Sequence, residues 1–385
     1  MDNTENVLNA GVVVDGNLSG CVSCISELGD TVLGQFCLGF PFIWMKTTNS
    51  IKKILTDSIC KRISTDEQED CFVFTHELIH AIQAVCFPVA QIPFARALMR
   101  VYDIRHTAEE RIKGETIVFD PLIVSGYSDD VARIEREVFG NAVRIRLDDG
   151  SVYLFTARDI LEGSARLLET AYRGAPARND KPPYTTVQQL NEQIFHDKKL
   201  SEKELLDVCE IALSKSRPAQ AFLLLCLSIK SLEMSRDKNF YRKLWGVSSS
   251  IGVDDLPDIL AQDKENIKSI LGGNALEGFS ENTIRFMDEV RAFFGDGPVM
   301  SSLYDMFRND KGYGLPNALL AMMGKSGSPA SVNGLGIPEQ FSKRDPQPVD
   351  QNAHGIVAVV DTDKLESKIV KTILSIKTSL IQLKI

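Results

Sequence analysis

Residues 71–80 read CFVFTHELIH, and His76, Glu77 and His80 are the residue types that metal-assisted hydrolysis uses. The chain holds five histidines, and two of them stand here, four positions apart. An α-helix turns once in about 3.6 residues, so positions i and i+4 share a face and two imidazoles there can reach one ion. Glu77 lies about 100° round the same helix, near enough to touch a water on that ion without ligating it. The flanking Val73, Phe74, Leu78, Ile79, Ala81 and Ile82 are uncharged, as a helix buried on several sides requires. Two histidines and a glutamate are costly to bury in such a helix unless something compensates their polarity. A bound cation does so.

The stretch VFTHELIHAI resembles the extended signature of zinc metallopeptidases, in which uncharged residues surround an HExxH helix. HELIH is also the form found in clostridial neurotoxin light chains, which belong to the gluzincins. That family takes its third zinc ligand from a Glu on a later helix, and many members carry E-G-x-A there. Glu162-Gly163-Ser164-Ala165 matches that pattern. The resemblance covers two short helices and implies a zincin-like core, with Zn2+ held by His76, His80 and Glu162. It further implies cleavage of peptide bonds by a zinc-activated water, with Glu77 as general base.

A catalytic zinc takes three protein ligands and keeps one position open, so the two histidines need a partner from elsewhere in the chain. Gly163 costs a helix about 1 kcal/mol relative to Ala, and the missing side chain would let two helices approach until the Glu162 carboxylate reaches the ion. Glu169 and His106 stand as alternatives for the third ligand. Asp159 reads as spent on a helix cap. Thermolysin-like members place an Asp four residues after the Glu ligand to orient the first histidine; that position here is Arg166. The partner of His76 is therefore unassigned. Candidates for stabilising an oxyanion are Tyr153, Tyr172, His106 and Arg166.

Several elements must position these residues. From Thr65 the acid-rich start and the closing Pro88 predict one helix through the HExxH pattern. NAVRIRLDDGSVYLFT alternates about Asp149-Gly150, which predicts a β-hairpin over 142–155 with a two-residue turn. Thr156 and Asp159 have the spacing of a capping box, so a helix should start near Ala157, with Leu161, Ala165, Leu168 and Tyr172 as its core stripe. Ser201 with Glu204, and Pro218 in a first turn, predict a helical hairpin over 200–235. Two more helices are expected at 257–271 and 281–294. GVVVDG at 11–16 reads as a short strand, and Leu365, Ile369, Ile373, Ile376, Leu380 and Leu383 line one side of a C-terminal amphipathic helix.

These elements imply an α+β fold; the resemblance implies a zincin-like metallopeptidase domain over 1–175, followed by a mostly helical region over 176–323. A Gly/Pro/Ser-rich loop or linker at 324–354 and a C-terminal strand and amphipathic helix at 355–385 complete the chain.

Bulk properties narrow the function. The chain has 385 residues, 44% of them hydrophobic and 25% charged, the balance of a globular protein. A net charge of −9 argues against a nucleic-acid partner, which needs a basic stripe. The apolar stretch TVLGQFCLGFPFIWM is interrupted by Pro41 and falls short of the roughly 20 residues of a membrane span, so it reads as a buried element. The first residues carry acids and no Lys or Arg, unlike a secretory leader. Eight scattered cysteines suit reduced thiols and a cytoplasmic setting. Cys21 and Cys24 have half a zinc-ribbon spacing without a second half.

The reading that results is a zinc-dependent hydrolase, an intracellular metallopeptidase acting on a peptide or protein substrate. The alternative is a non-catalytic binding or regulatory protein with a structural or vestigial HExxH helix. A metal hydrolase acting on another kind of bond is a third.

Overall fold

Ser64 starts the first long helix. Its backbone N–H donates to Glu67 Oε2 at 2.9 Å and the Glu67 N–H donates back to Ser64 Oγ at 3.4 Å, so two orphan donors of the first turn are satisfied reciprocally. The helix, α1, runs Thr65–Cys86 and stops at Phe87, whose extended backbone is what a residue before proline prefers. The computed structural model describes residues 57–58, 62–91, 142–147, 150–175, 181–258, 287–295, 297–310 and 314–320, with the backbone of four short strands besides.

Those strands are β1 (Gly34–Phe36) and β2 (Phe42–Met45), which pair antiparallel, and two that come much later in the chain. Both fall inside the apolar stretch expected to form a buried element, and both pack against α1. The hairpin forms as expected from β3 (Val143–Arg146) and β4 (Val152–Phe155). Its link differs from the expected two-residue turn. Leu147 N–H donates to Ser151 O and Gly150 N–H to Leu147 O, which leaves three residues, 148–150, between the paired positions. Gly150 takes φ +80°, the left-handed position that such a three-residue link needs.

Helix α2 (Ala157–Arg173) follows directly. Thr156 N–H donates to Asp159 Oδ2 at 2.8 Å, the predicted capping box, and Gly174 closes the helix at φ +66°. The predicted stripe of Leu161, Ala165, Leu168 and Tyr172 is buried. Then come α3 (Thr186–Phe195), α4 (Glu202–Leu213), α5 (Pro218–Ser231), α6 (Phe240–Ser248) and α7 (Val299–Asn309). The predicted Ser201–Glu204 box and the Pro218 start both hold.

Helix α2 is the hub, since α1, α3, α4, α5 and α7 all pack on it. The helices on either side of the Gly/Pro-rich stretch at 174–183 therefore share one core. Each fully buried Leu along this hub is worth about 1.5–3 kcal/mol relative to exposure. Residues 287–294 are helical and end on Gly295, matching the close of the expected helix at 281–294. Within the Gly/Pro/Ser-rich 324–354, Ala330–Val332 (β5) pairs parallel with β2 and antiparallel with Pro338–Glu339 (β6), giving the sheet order β1-β2-β5-β6. The strand at 11–16, Cys21 and Cys24, His106, the helix at 257–271 beyond residue 258, and the C-terminal helix lie outside the described residues.

Candidate metal centre

His76 and His80 sit one turn apart on α1, and their rings meet edge to face with centroids 4.8 Å apart. The two Nε2 atoms are 3.2 Å apart. Glu162, from α2, places Oε2 3.2 Å from His80 Nε2 and 3.6 Å from His76 Nε2. Tetrahedral zinc, with ligands at about 2.0–2.1 Å, needs donor atoms about 3.3–3.4 Å from one another. The three edges of this triangle bracket that value. His76, His80 and Glu162 thus form a group able to hold a metal ion, brought together across 82 residues of sequence.

The far side of each imidazole explains why the near side faces inward. Gln83 Nε2 donates to Leu161 O at 3.1 Å and to Ser164 Oγ at 3.0 Å, so its Oε1 is the atom 2.7 Å from His80 Nδ1. An amide oxygen only accepts, hence Nδ1 carries the proton and the Nε2 lone pair points into the triangle. Glu169 Oε2 lies 3.2 Å from His76 Nδ1 and fixes that ring in the same sense. Glu169 Oε1 accepts from Arg173 at 2.8 Å, and Arg173 also reaches Glu69 at 3.6 Å and covers the ring of Phe72. Two nitrogen lone pairs and a carboxylate converge on one point. A cation at that point, a metal ion or a proton, reconciles them.

Comparison with family models, with curated proteins and with solved structures found no match to this chain.

The electrostatics repeat the geometry. Burial pushes the Glu162 carboxyl up, but the two imidazoles outweigh it and hold the group well below the usual range. Burial pulls His76 down, yet its hydrogen bonds to Glu162 and Glu169 win and raise it well above an ordinary histidine. Glu169 is lowered as well, with burial opposed by His76 and Arg173. In the absence of an ion, a proton on His76 is the cation that this cluster retains.

The structure sorts the other sequence candidates. Glu169 belongs behind His76 and not among the three converging donors, so it takes the orienting role that Arg166 could not supply. Arg166 itself is buried. Asp159 is spent on the cap, as expected, and also accepts from Tyr153 at 2.7 Å and Thr186 at 3.1 Å. Tyr153 is thereby engaged away from the triad. Tyr172 is in the core, edge-on to Phe72 and Phe307. Glu77 is 6% exposed and close enough to His76 for its charge to favour the imidazolium.

Tyr184 was not among the sequence candidates. Its ring lies 6.3 Å from that of His76, and burial together with the charges of Glu162 and Glu77 pushes its hydroxyl up to about 12. It therefore keeps its proton at neutral pH and can donate a hydrogen bond at the site. Its only sequence signal was a tyrosine in the turn just before a helix.

Gly163 has a different purpose from the one the sequence suggested. A Cβ there would meet Val187 Cγ2 at 2.5 Å, so the missing side chain admits α3 and not α1. The contact still serves the site, because α3 begins two residues after Tyr184. The approach of α1 to α2 is made instead through Gln83, Leu161 and Ser164.

Proposed function

We propose that this protein is a zinc-dependent hydrolase that cleaves peptide bonds, with Zn2+ held by His76, His80 and Glu162. One observation carries the reading: two imidazole Nε2 atoms and a carboxylate oxygen converge at 3.2–3.6 Å while each imidazole's Nδ1 is occupied by another residue. When bound, the ion supplies Lewis acidity, lowering the pKa of water toward about 7 and polarising a carbonyl.

The chain's own groups supply the rest. Glu77 stands beside His76 on the same helix and is the general base, taking the proton of the attacking water and passing it to the leaving amine. Tyr184 keeps its hydroxyl proton and donates it as a hydrogen bond to the oxygen that gains charge. Gln83 and Glu169 hold the two imidazoles in the ligating tautomer. The free thiols of Cys71, Cys86, Cys209 and Cys226 support an intracellular setting. Among the described residues no helix is long and apolar enough to cross a membrane.

The experiment is elemental analysis of the purified chain beside peptide-cleavage assays of wild type and Glu77→Gln. About one zinc per chain in both, with activity present in wild type and about 10²–10⁴-fold lower in the variant, is the expected result. A second reading, a metal-free binding protein, draws on one observation, the raised pKa of His76, since a proton alone can also satisfy the cluster. A chain that takes up no zinc, and whose folding ignores a chelator, would establish that second reading.

A further inference from the structure

Arg158 lies one turn before Glu162 on α2. Its side chain is 72% exposed, and its Nε is 3.9 Å from Glu162 Oε1. The oxygen that faces the imidazoles is the other one, Oε2. Among the described residues this is the only ion pair of the guanidinium, and a pair so long and so exposed is weak. The charge of Arg158 is also felt at the hydroxyls of Tyr184 and Tyr153. Among the described residues Glu77 and Glu169 also lie near the triad, and Glu169 is matched by Arg173.

An ion in the triad draws on the Glu162 carboxylate and cancels the negative charge that Arg158 now faces. The arginine is then an exposed fork of donors beside a cation, with no other counter-charge among the described residues. That chemistry fits a carboxylate, which a guanidinium binds through two parallel hydrogen bonds.

We infer that Arg158 is a specificity-determining residue at the exposed edge of the metal site, and that the substrates of this site carry an Asp or Glu side chain close to the bond that is cut. The inference takes the peptide as substrate from the function proposed above. The chain's net charge of −9 would favour basic partners at long range. Charges more than about 8 Å away are screened at physiological ionic strength, so the local cation decides.

The test uses the zinc-loaded full chain and hydroxamate-terminated tetrapeptides, which anchor on a metal whether or not the chain cleaves peptides. Glu or Gln is placed at each peptide position in turn, and affinity is read by displacement of a fluorescent hydroxamate. At one position Glu should bind about fivefold more tightly than Gln. That ratio should fall to about one in Arg158→Gln, persist in part in Arg158→Lys, and drop below one in Arg158→Glu, with zinc content unchanged throughout. Equal affinity of the Glu and Gln peptides at every position overturns the inference. So does a Glu preference that survives Arg158→Gln, or a failure of every hydroxamate to bind. Peptide cleavage is scored separately: a Glu preference abolished by Arg158→Gln, in a chain that cuts no peptide, removes the peptidase reading and leaves the carboxylate site standing.

Discussion

Gln83 Oε1 lies 2.7 Å from His80 Nδ1, while the amide nitrogen of the same side chain donates to Leu161 O on the neighbouring helix. One residue thus fixes the tautomer of His80 and ties the two helices that carry the site. Gln83 is 1% exposed, so each of its hydrogen bonds is made in surroundings that offer no water in exchange.

Replacing Gln83 with Leu should lower metal affinity about 10–100-fold, because the His80 ring loses its orienting acceptor. Leu161 O and Ser164 Oγ lose a buried donor at the same time, so the metal-free chain should also lose about 1–3 kcal/mol of stability. Chelator competition and denaturant unfolding read the two effects separately. An unchanged zinc affinity would show that His80 is held by something else.

Tyr184→Phe should leave zinc content and melting temperature close to wild type. It should lower kcat by about 10²–10³-fold, the usual cost of removing one donor to a developing oxyanion. A change confined to KM would instead place Tyr184 in substrate binding.

Gly163→Ala sets two effects against each other. Alanine gains about 1 kcal/mol in helix propensity, but its Cβ would stand 2.5 Å from Val187 Cγ2, and overpacking a core typically costs about 1–3 kcal/mol. The net expectation is destabilisation, reversed when Val187→Ala is added. A double-mutant cycle by thermal unfolding should return a coupling of about 1 kcal/mol or more between the two positions.

Stability of the metal-free chain should fall as pH rises from about 5 to 8. His76 is raised above its ordinary value, so its contribution is complete below about 6.5 and is lost as pH climbs through the folded value. Asp207 and Glu210 are carboxyls that burial raises to about 7, the first with Oδ1 lacking a hydrogen-bond partner among the described residues. A raised acid favours folding while it is protonated, so their contributions drain away between about pH 4 and 7. Glu162 and Glu169 are lowered and act oppositely, with stabilisation lost only as pH falls below about 4.5. Melting temperature against pH is the measurement. Asp207→Asn should flatten the decline between about pH 5 and 7, and zinc should raise the melting temperature more at pH 8 than at pH 5.5, since below neutrality it must displace the His76 proton.

The local parts of this molecule were legible in the sequence. The Thr156–Asp159 box, the Ser201–Glu204 box and the Pro218 start depend on neighbours within four residues, and the hairpin on strict alternation. The pairing of His76 with His80 needs only the helical period. Glu162 was reachable through the E-G-x-A pattern, although 82 residues separate it from His80.

Groups set by the crossing of helices were not legible. Glu169 lies two turns from Glu162 on nearly the same face, which made it a rival ligand in the sequence; only the place where α1 crosses α2 puts it behind His76. The opening at Gly163 was visible, but the helix that fills it was not. Tyr184 arrives in a turn whose direction no periodicity encodes. The Ser64–Glu67 box was available to the same rule that found the other two and was masked by the acid-rich first turn that follows it.

One helix, α2, carries Glu162 of the group able to hold an ion, the acid that steadies His76, and the axle about which the bundle is assembled. Injury remote from the triad, in α4 or α7 for instance, should tilt that axle and loosen the grip on a bound ion before the chain unravels. Leakage of the ion would then serve as an early gauge of damage anywhere in the bundle.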